Sequence, residues 1–330
     1  MDSLAYAQAH DAQWRRLKKL ARMRRLSGEQ SDELIQLYQR SAGQLAHIRT
    51  QAPDPDIVLR LSAVLGYARS RITAVPVSPL VAVLRFFTVA LPYAFYRIRW
   101  WIAVVTAVCV LFACAMGFAY ALNPDLLDTL GSYSQQQAYA KQAFEAYYSQ
   151  YSHADFSALV WSNNAWIAVQ CVAGGVSGIY PGFVLLMNSL NIGQSAAIMN
   201  RFDELPIFFQ LILPHGQLEL MAIFISGAAG IRLFWAWVHP GSMPRVQALG
   251  REGRQTMLVS IGLVFVLFIS GLEEGFVTPS SLPWWLKIAI GTLSLLLLWL
   301  WILICGRRAH ERGYGQENPY ETGWHIAYAG

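Results

Sequence analysis

Residues 165–199 read AWIAVQCVAGGVSGIYPGFVLLMNSLNIGQSAAIM, with no charged side chain in the run. A helix that crosses a bilayer core of about 30 Å needs about 20 apolar residues. The run is therefore too long for one crossing. Gly174, Gly175, Gly178, Pro181 and Gly182 fall near its middle, where glycine and proline weaken a continuous helix. Two short spans, near 163–180 and 182–200, fit better. Small residues at this density mean close helix contacts or a broken helix, and either requires protein, not lipid, around the loosened backbone.

The rest of the chain agrees with lipid as solvent. Its 330 residues are 55% hydrophobic and 14% charged, whereas a soluble domain carries about 25% charged residues. Further apolar runs occupy Trp100–Leu122, His215–Val238, Thr256–Leu272 and Trp284–Cys305. The expected fold is all-α: a polytopic integral membrane helical bundle. Its transmembrane domain covers 100–305, with about six helices near 100–122, 163–180, 182–200, 215–238, 256–272 and 284–305. Residues 123–162 are polar and net acidic and suit an extracytoplasmic loop. Arg201–Pro214 carries an apolar patch too short to span and reads as an outer loop or re-entrant segment. The cysteines Cys109, Cys114, Cys171 and Cys305 lie in apolar runs without a C-x-x-C pair and read as small buried thiols.

Charge sets the threading. Residues 1–99 hold fifteen Lys/Arg against seven Asp/Glu. Further arginines cluster at 245–254 and at 307–308. The positive-inside rule then puts both termini in the cytoplasm of a bacterial inner membrane, with an even number of spans. Trp100, Trp101, Trp161, Trp166, Trp284 and Trp285 sit at the expected interfaces. The opening residues are polar and lack the apolar core of a signal peptide.

Residues 1–78 read as a cytoplasmic helical domain. Trp14, Leu17, Leu20 and Leu26 recur at helical spacing. So do Leu34, Leu37, Tyr38 and Leu45, with Ser31 as the expected cap of that second helix. After Pro53-Asp54-Pro55 a third helix follows, with Val58, Leu61, Leu65, Ala68 and Ile72. The basic run Arg15, Arg16, Lys18, Lys19, Arg22, Arg24 and Arg25 reads as a solvated face. Residues 79–99 read as an interfacial amphipathic elbow helix, aromatics down and arginines up. Residues 306–330 form the cytoplasmic tail.

His215 and Glu219 are four apart and share a helix face. Ionisable groups in a span are expensive, so this pair opens the candidate site. Asn163, Asn164, Asn188 and Asn191 offer interhelical hydrogen bonds to it, and Glu273 and Glu274 follow the fifth span. Arg232, about 25 Å along the helix from His215 at 1.5 Å per residue, reads as snorkelling. Metals need three or four ligands and only two stand together in sequence, so neither metal nor cofactor is expected. No Walker motif, G-x-S-x-G or nucleic-acid module occurs, so membrane lipids are the expected partners and nucleic acid is not.

Several pieces resemble the stage II sporulation protein M family, in a longer form with an N-terminal helical domain. They are Asn163-Asn164, then Gly182-Phe183 through Asn188 to Gly193, then Leu213-Pro214-His215-Gly216 with Glu219. Glu274-Gly275-Phe276-Val277-Thr278-Pro279-Ser280 completes the set, with Trp14, Leu17, Leu34, Leu37 and Tyr38 in the longer form's own domain. The resemblance implies an integral membrane scaffold in an envelope complex, with other membrane proteins and peptidoglycan-remodelling enzymes as partners. Gly174, Gly175, Gly178, Pro181, Gly182, Pro214 and Gly216 are then helix-break and packing positions, compatible with a homodimer. Two alternatives stand beside the scaffold. One is a dimeric transporter or channel-like protein with a polar path past His215 and Glu219. The other is an intramembrane hydrolase, which needs a third ligand or nucleophile beside His215.

Overall fold

The computed structural model describes residues 3–23, 25–51, 54–73, 78–143 and 153–315. Arg24, Pro53, residues 144–152 of the expected 123–162 loop and most of the 306–330 tail lie outside the described residues. Every regular element among those described is helical. The chain divides into two compact units, Met1–Val81 and Ala82–Gly330.

The first unit is three helices: α1 (Ser3–Arg22), α2 (Gly28–Gln51) and α3 (Pro55–Thr73). Their apolar stripes meet in a core of Trp14, Leu17, Leu20, Leu34, Ile48, Ile57, Leu61, Leu65 and Ala68. The cap of α2 is Ser27, not Ser31. The amide of Gln30 donates to Ser27 Oγ (3.2 Å) and the Ser27 amide donates to Gln30 Oε1 (3.1 Å). This reciprocal S-x-x-Q pair satisfies two free amides at once, which Ser31, one turn inside, cannot do. The basic face is partly spent on neighbours: Arg16 bonds Glu33 (2.6 and 2.8 Å), which holds the Glu33 carboxyl below its usual range, and Arg15 pairs with Asp11.

The second unit contains α4 (Pro79–Arg97) from Ala82 onward, α5 (Arg99–Leu122), α6 (His153–Ala173), α7 (Tyr180–Arg201), α8 (Leu205–Val238), α9 (Arg245–Val277) and α10 (Trp284–Glu311). Six of them, all but α6, are long and apolar enough to cross a membrane. These are not quite the six expected. The elbow helix α4 qualifies, and its second half does not lie on a surface: Leu91 to Tyr96 are buried. Gly262 and Gly306 make this possible, because a side chain at either would strike Phe95 or the Pro92 carbonyl. The expected loop 201–214 is also absent as such. Its apolar patch is the start of α8, which runs unbroken through Pro214. Proline removes one backbone donor, yet burial on several sides holds the helix together. Likewise α9 begins at Arg245, inside the expected basic loop.

The glycine-rich run behaves as a broken helix. A short 3-10 turn, Gly174–Ser177, ends α6, and Gly178 follows with φ +72°, a conformation glycine adopts without strain. Around it the backbones touch. A Cβ on Gly175 would lie 2.8 Å from the Gly230 Cα, and one on Gly193 would lie 2.6 Å from the Ala113 carbonyl oxygen. Two expected packing positions are different. Nothing lies within 4 Å of a Cβ at Gly182, and one at Gly216 meets only Ile212 of its own helix. Cys109 and Cys171 are buried, but Cys114 is exposed and Cys305 half-buried. An apolar run does not tell a lipid-facing side chain from a core one, because both are apolar.

Candidate functional site

The site is assembled where α8 passes α6 and the end of α9. His215 and Glu219 leave the same face of α8, as four-residue spacing requires. The end of α9 is a single wide turn, Glu273–Val277, in which the Thr278 amide bonds the Glu273 carbonyl five residues back (2.9 Å). Wide turns of this kind re-aim side chains and recur at functional sites. Here the turn buries two consecutive glutamates, Glu273 and Glu274.

Glu274 Oε1 lies 3.6 Å from His215 Nε2. One oxygen of Glu219 joins them, and the three donor atoms lie within 4.8 Å of one another. On its other side His215 Nδ1 is 3.1 Å from Thr278 Oγ1, and that hydroxyl is 3.4 Å from the Glu273 carbonyl oxygen. With the hydroxyl proton on that carbonyl, its oxygen accepts from Nδ1–H. The Nε2 lone pair then faces the carboxylates. Asn164 donates to Glu219. Ser270 donates to the His215 carbonyl (3.1 Å), and Lys287 donates to the Thr278 carbonyl (2.6 Å).

Of the polar residues singled out in the sequence, four meet: His215, Glu219, Asn164 and Glu274. Glu273 points to the neighbouring face and accepts from Ser294 of α10. Asn163 is exposed, because adjacent residues of a helix diverge by about 100°. Asn188 donates to the Val184 carbonyl of its own helix (2.9 Å), and Asn191 is exposed. These three do not reach the cluster. Sequence reasoning missed Ser270, Lys287 and Ser294, and quoted Thr278 only for its resemblance. No spacing rule links them to His215, since they lie 55 to 79 residues away along the chain.

A second polar cluster sits where α4, α8 and α9 meet. Glu252, 5% exposed, pairs with Arg97 through one oxygen and lies 3.8 Å from Arg232 through the other. Arg232 therefore has an anionic neighbour, in place of simple snorkelling.

Replacing Asn164 with leucine removes the donor to Glu219. Leaving a buried acceptor unpaired costs about 1–3 kcal/mol, so the expected result is a lower melting temperature of the detergent-purified chain. Asn163→Leu, one residue away, is expected to leave it unchanged.

Residues 105–279 match the family described as Stage II sporulation protein M, and residues 4–74 match a domain of unknown function (DUF8413). An uncharacterized protein of Methanocaldococcus jannaschii is 27% identical over 126 residues, which is 36% of this chain and 54% of that protein. The chain thus spans about half the length of that relative. No solved structure matches. The family match covers more than half of the chain and contains His215, Glu219 and Glu274. The chain is a multi-pass membrane protein that belongs to the stage II sporulation protein M family.

Proposed function

We propose that this protein is a scaffold or assembly factor of a cell-envelope complex in the bacterial inner membrane. It gathers partner membrane proteins, peptidoglycan-remodelling enzymes among them, and its N-terminal helical unit serves as a docking module. One observation carries the choice of scaffolding over conduction: the polar side chains expected to line a path do not share one. Asn163 and Asn191 are exposed and Asn188 is tied to its own helix. The docking role is supported by a first unit with its own apolar core and with Lys18 and Lys19 exposed.

Orientation follows from charge. Arg97, Arg232 and Glu252 meet at one end of the membrane unit, and Arg251 donates to the Gly315 carbonyl there (3.1 Å). The positive-inside rule assigns that end to the cytoplasm. Both termini are then cytoplasmic with six crossings, in which α6 spans together with α5 and α7 to α10 while α4 enters the helical pack without crossing it.

The test is the mass of the native complex extracted from membranes, compared between the full chain and a chain lacking residues 1–78. The expected result is a loss of mass well beyond the deleted segment, while the membrane unit keeps its melting temperature. A complex smaller by the deleted segment alone would overturn the docking role. Labelling Ser3→Cys and Arg312→Cys with a membrane-impermeant reagent checks the threading. Both are expected to react only after the membrane is opened.

A further inference from the structure

We propose that His215, Glu219 and Glu274 form a binding site for one divalent first-row transition metal, zinc being the reference ion. The site goes beyond the scaffold reading and does not rest on it.

The geometry is that of a ligand set. Zinc bonds imidazole nitrogen and carboxylate oxygen at about 2.0–2.2 Å, so the edge of its tetrahedron is about 3.4 Å. His215 Nε2 and Glu274 Oε1 are 3.6 Å apart. The Glu219 oxygen is within 4.8 Å of both, and a small rotation of a glutamate side chain closes that gap. The three groups come from one helix face and from the wide turn packed beside it, so backbone elements hold them.

The electrostatics call for a cation. Nε2 presents a lone pair once Nδ1–H is committed to Thr278 (3.1 Å). Both carboxylates are acceptors when ionised. Three acceptors thus converge in a buried place, an arrangement that is unfavourable unless something positive sits among them. A second observation is independent of that convergence: Glu274 is 3% exposed, and its Oε2 has no hydrogen-bond partner among the described residues. A metal, or a water on the metal, would satisfy it.

The outer partners fit as well. A ligating histidine usually donates its other ring N–H to a neighbour, and ligating carboxylates are themselves hydrogen-bonded. Thr278 serves His215 and Asn164 serves Glu219. An imidazole in the set favours zinc and its first-row neighbours over magnesium or calcium, which prefer oxygen alone. Three protein ligands leave a fourth position for water.

The alternative is a proton shared by the carboxylates with no metal. The deciding experiment uses the full chain in detergent, stripped with a chelator and titrated with Zn(II), and separately with Co(II), whose visible absorption reports its coordination. The expected result is about one ion per chain, a melting temperature that rises with zinc concentration, and a tetrahedral or five-coordinate cobalt spectrum. Glu274→Gln keeps shape and removes charge. It is expected to weaken binding by more than about 100-fold, and Thr278→Val by about 10–100-fold, the range typical of losing a ligand's hydrogen-bond partner. Wild-type chain that takes up no zinc, or shows no melting shift, overturns the site. So does a Glu274→Gln chain that binds as well as wild type. The cobalt spectrum of the unaltered chain decides the matter even where a variant fails to fold.

Discussion

Replacing Gly291 with alanine is expected to loosen α10 from α8, with an effect among the largest available to any single methyl group in this chain. A Cβ at that position would stand 1.9 Å from the Pro214 carbonyl oxygen, 2.7 Å from its carbon and 3.0 Å from the Leu213 oxygen. All three atoms are backbone, so no rotamer change relieves the clash and one helix must move. Overpacking a core costs about 1–3 kcal/mol, occasionally more, and this contact belongs at the upper end. At about 2–4 °C per kcal/mol for a domain of this size, the melting temperature of the purified chain is expected to fall by about 6–12 °C. Gly182→Ala is the matched control. Nothing lies within 4 Å of its Cβ, and alanine is a better helix former than glycine by about 0.5–1 kcal/mol. It is expected to be neutral or slightly stabilising. Equal melting temperatures for the two variants would mean that α8 and α10 do not approach this closely. The consequence reaches the candidate site, since Pro214 immediately precedes His215.

That pair of glycines shows what the sequence made legible and what it did not. Gly182 drew attention because it lies in a dense cluster, and Gly291 drew none because it is alone in an apolar run. Density signals a broken helix, and the turn at Gly174–Ser177 with Gly178 at φ +72° is one. Density says nothing about which glycine faces another backbone, because that depends on the rotation of both helices. The same distinction runs through the site. Four-residue spacing put His215 and Glu219 on one face, a property of the helix alone. The choice between Asn163 and Asn164 needed the rotation of α6 against α8. Glu274 needed the wide turn at the end of α9, and an acidic turn after an apolar run looks the same in sequence whether its carboxylates point out or in. In sequence the span of α8 starts only at His215, because the apolar patch within 201–214 is too short to cross by itself. Burial of Phe208 and packing along its length outweigh the missing proline donor.

Glu252→Leu is expected to destabilise the opposite end of the membrane unit by about 3 kcal/mol, the lower end of the range for breaking a buried ion pair from one side. In sequence Glu252 is one acidic residue within the arginine cluster at 245–254. In the structure it is a buried residue of α9 that meets Arg97 of α4 and lies 3.8 Å from Arg232 of α8. Removing the anion leaves two cations facing one another with nothing between them, and Arg97 Nε already has no partner among the described residues. The estimate stays low because the arginine side chains are 23% and 28% exposed and can reach toward water. Glu252→Gln, which keeps the shape and part of the hydrogen bonding, is expected to cost less than leucine. The discriminating experiment is a double-mutant cycle on melting temperature with Arg97→Leu. Replacing both members of a buried pair with apolar side chains is often nearly neutral, so the double variant is expected to recover much of what Glu252→Leu loses, with a coupling of about 0.5–3 kcal/mol. Strictly additive losses would mean that Arg97 and Glu252 act independently. In that case α4 would be held by its packing, with the close approaches at Gly262 and Gly306 and the Trp301 donor to the Phe87 carbonyl, and the charges would matter for orientation in the membrane and not for locking α4 to α9.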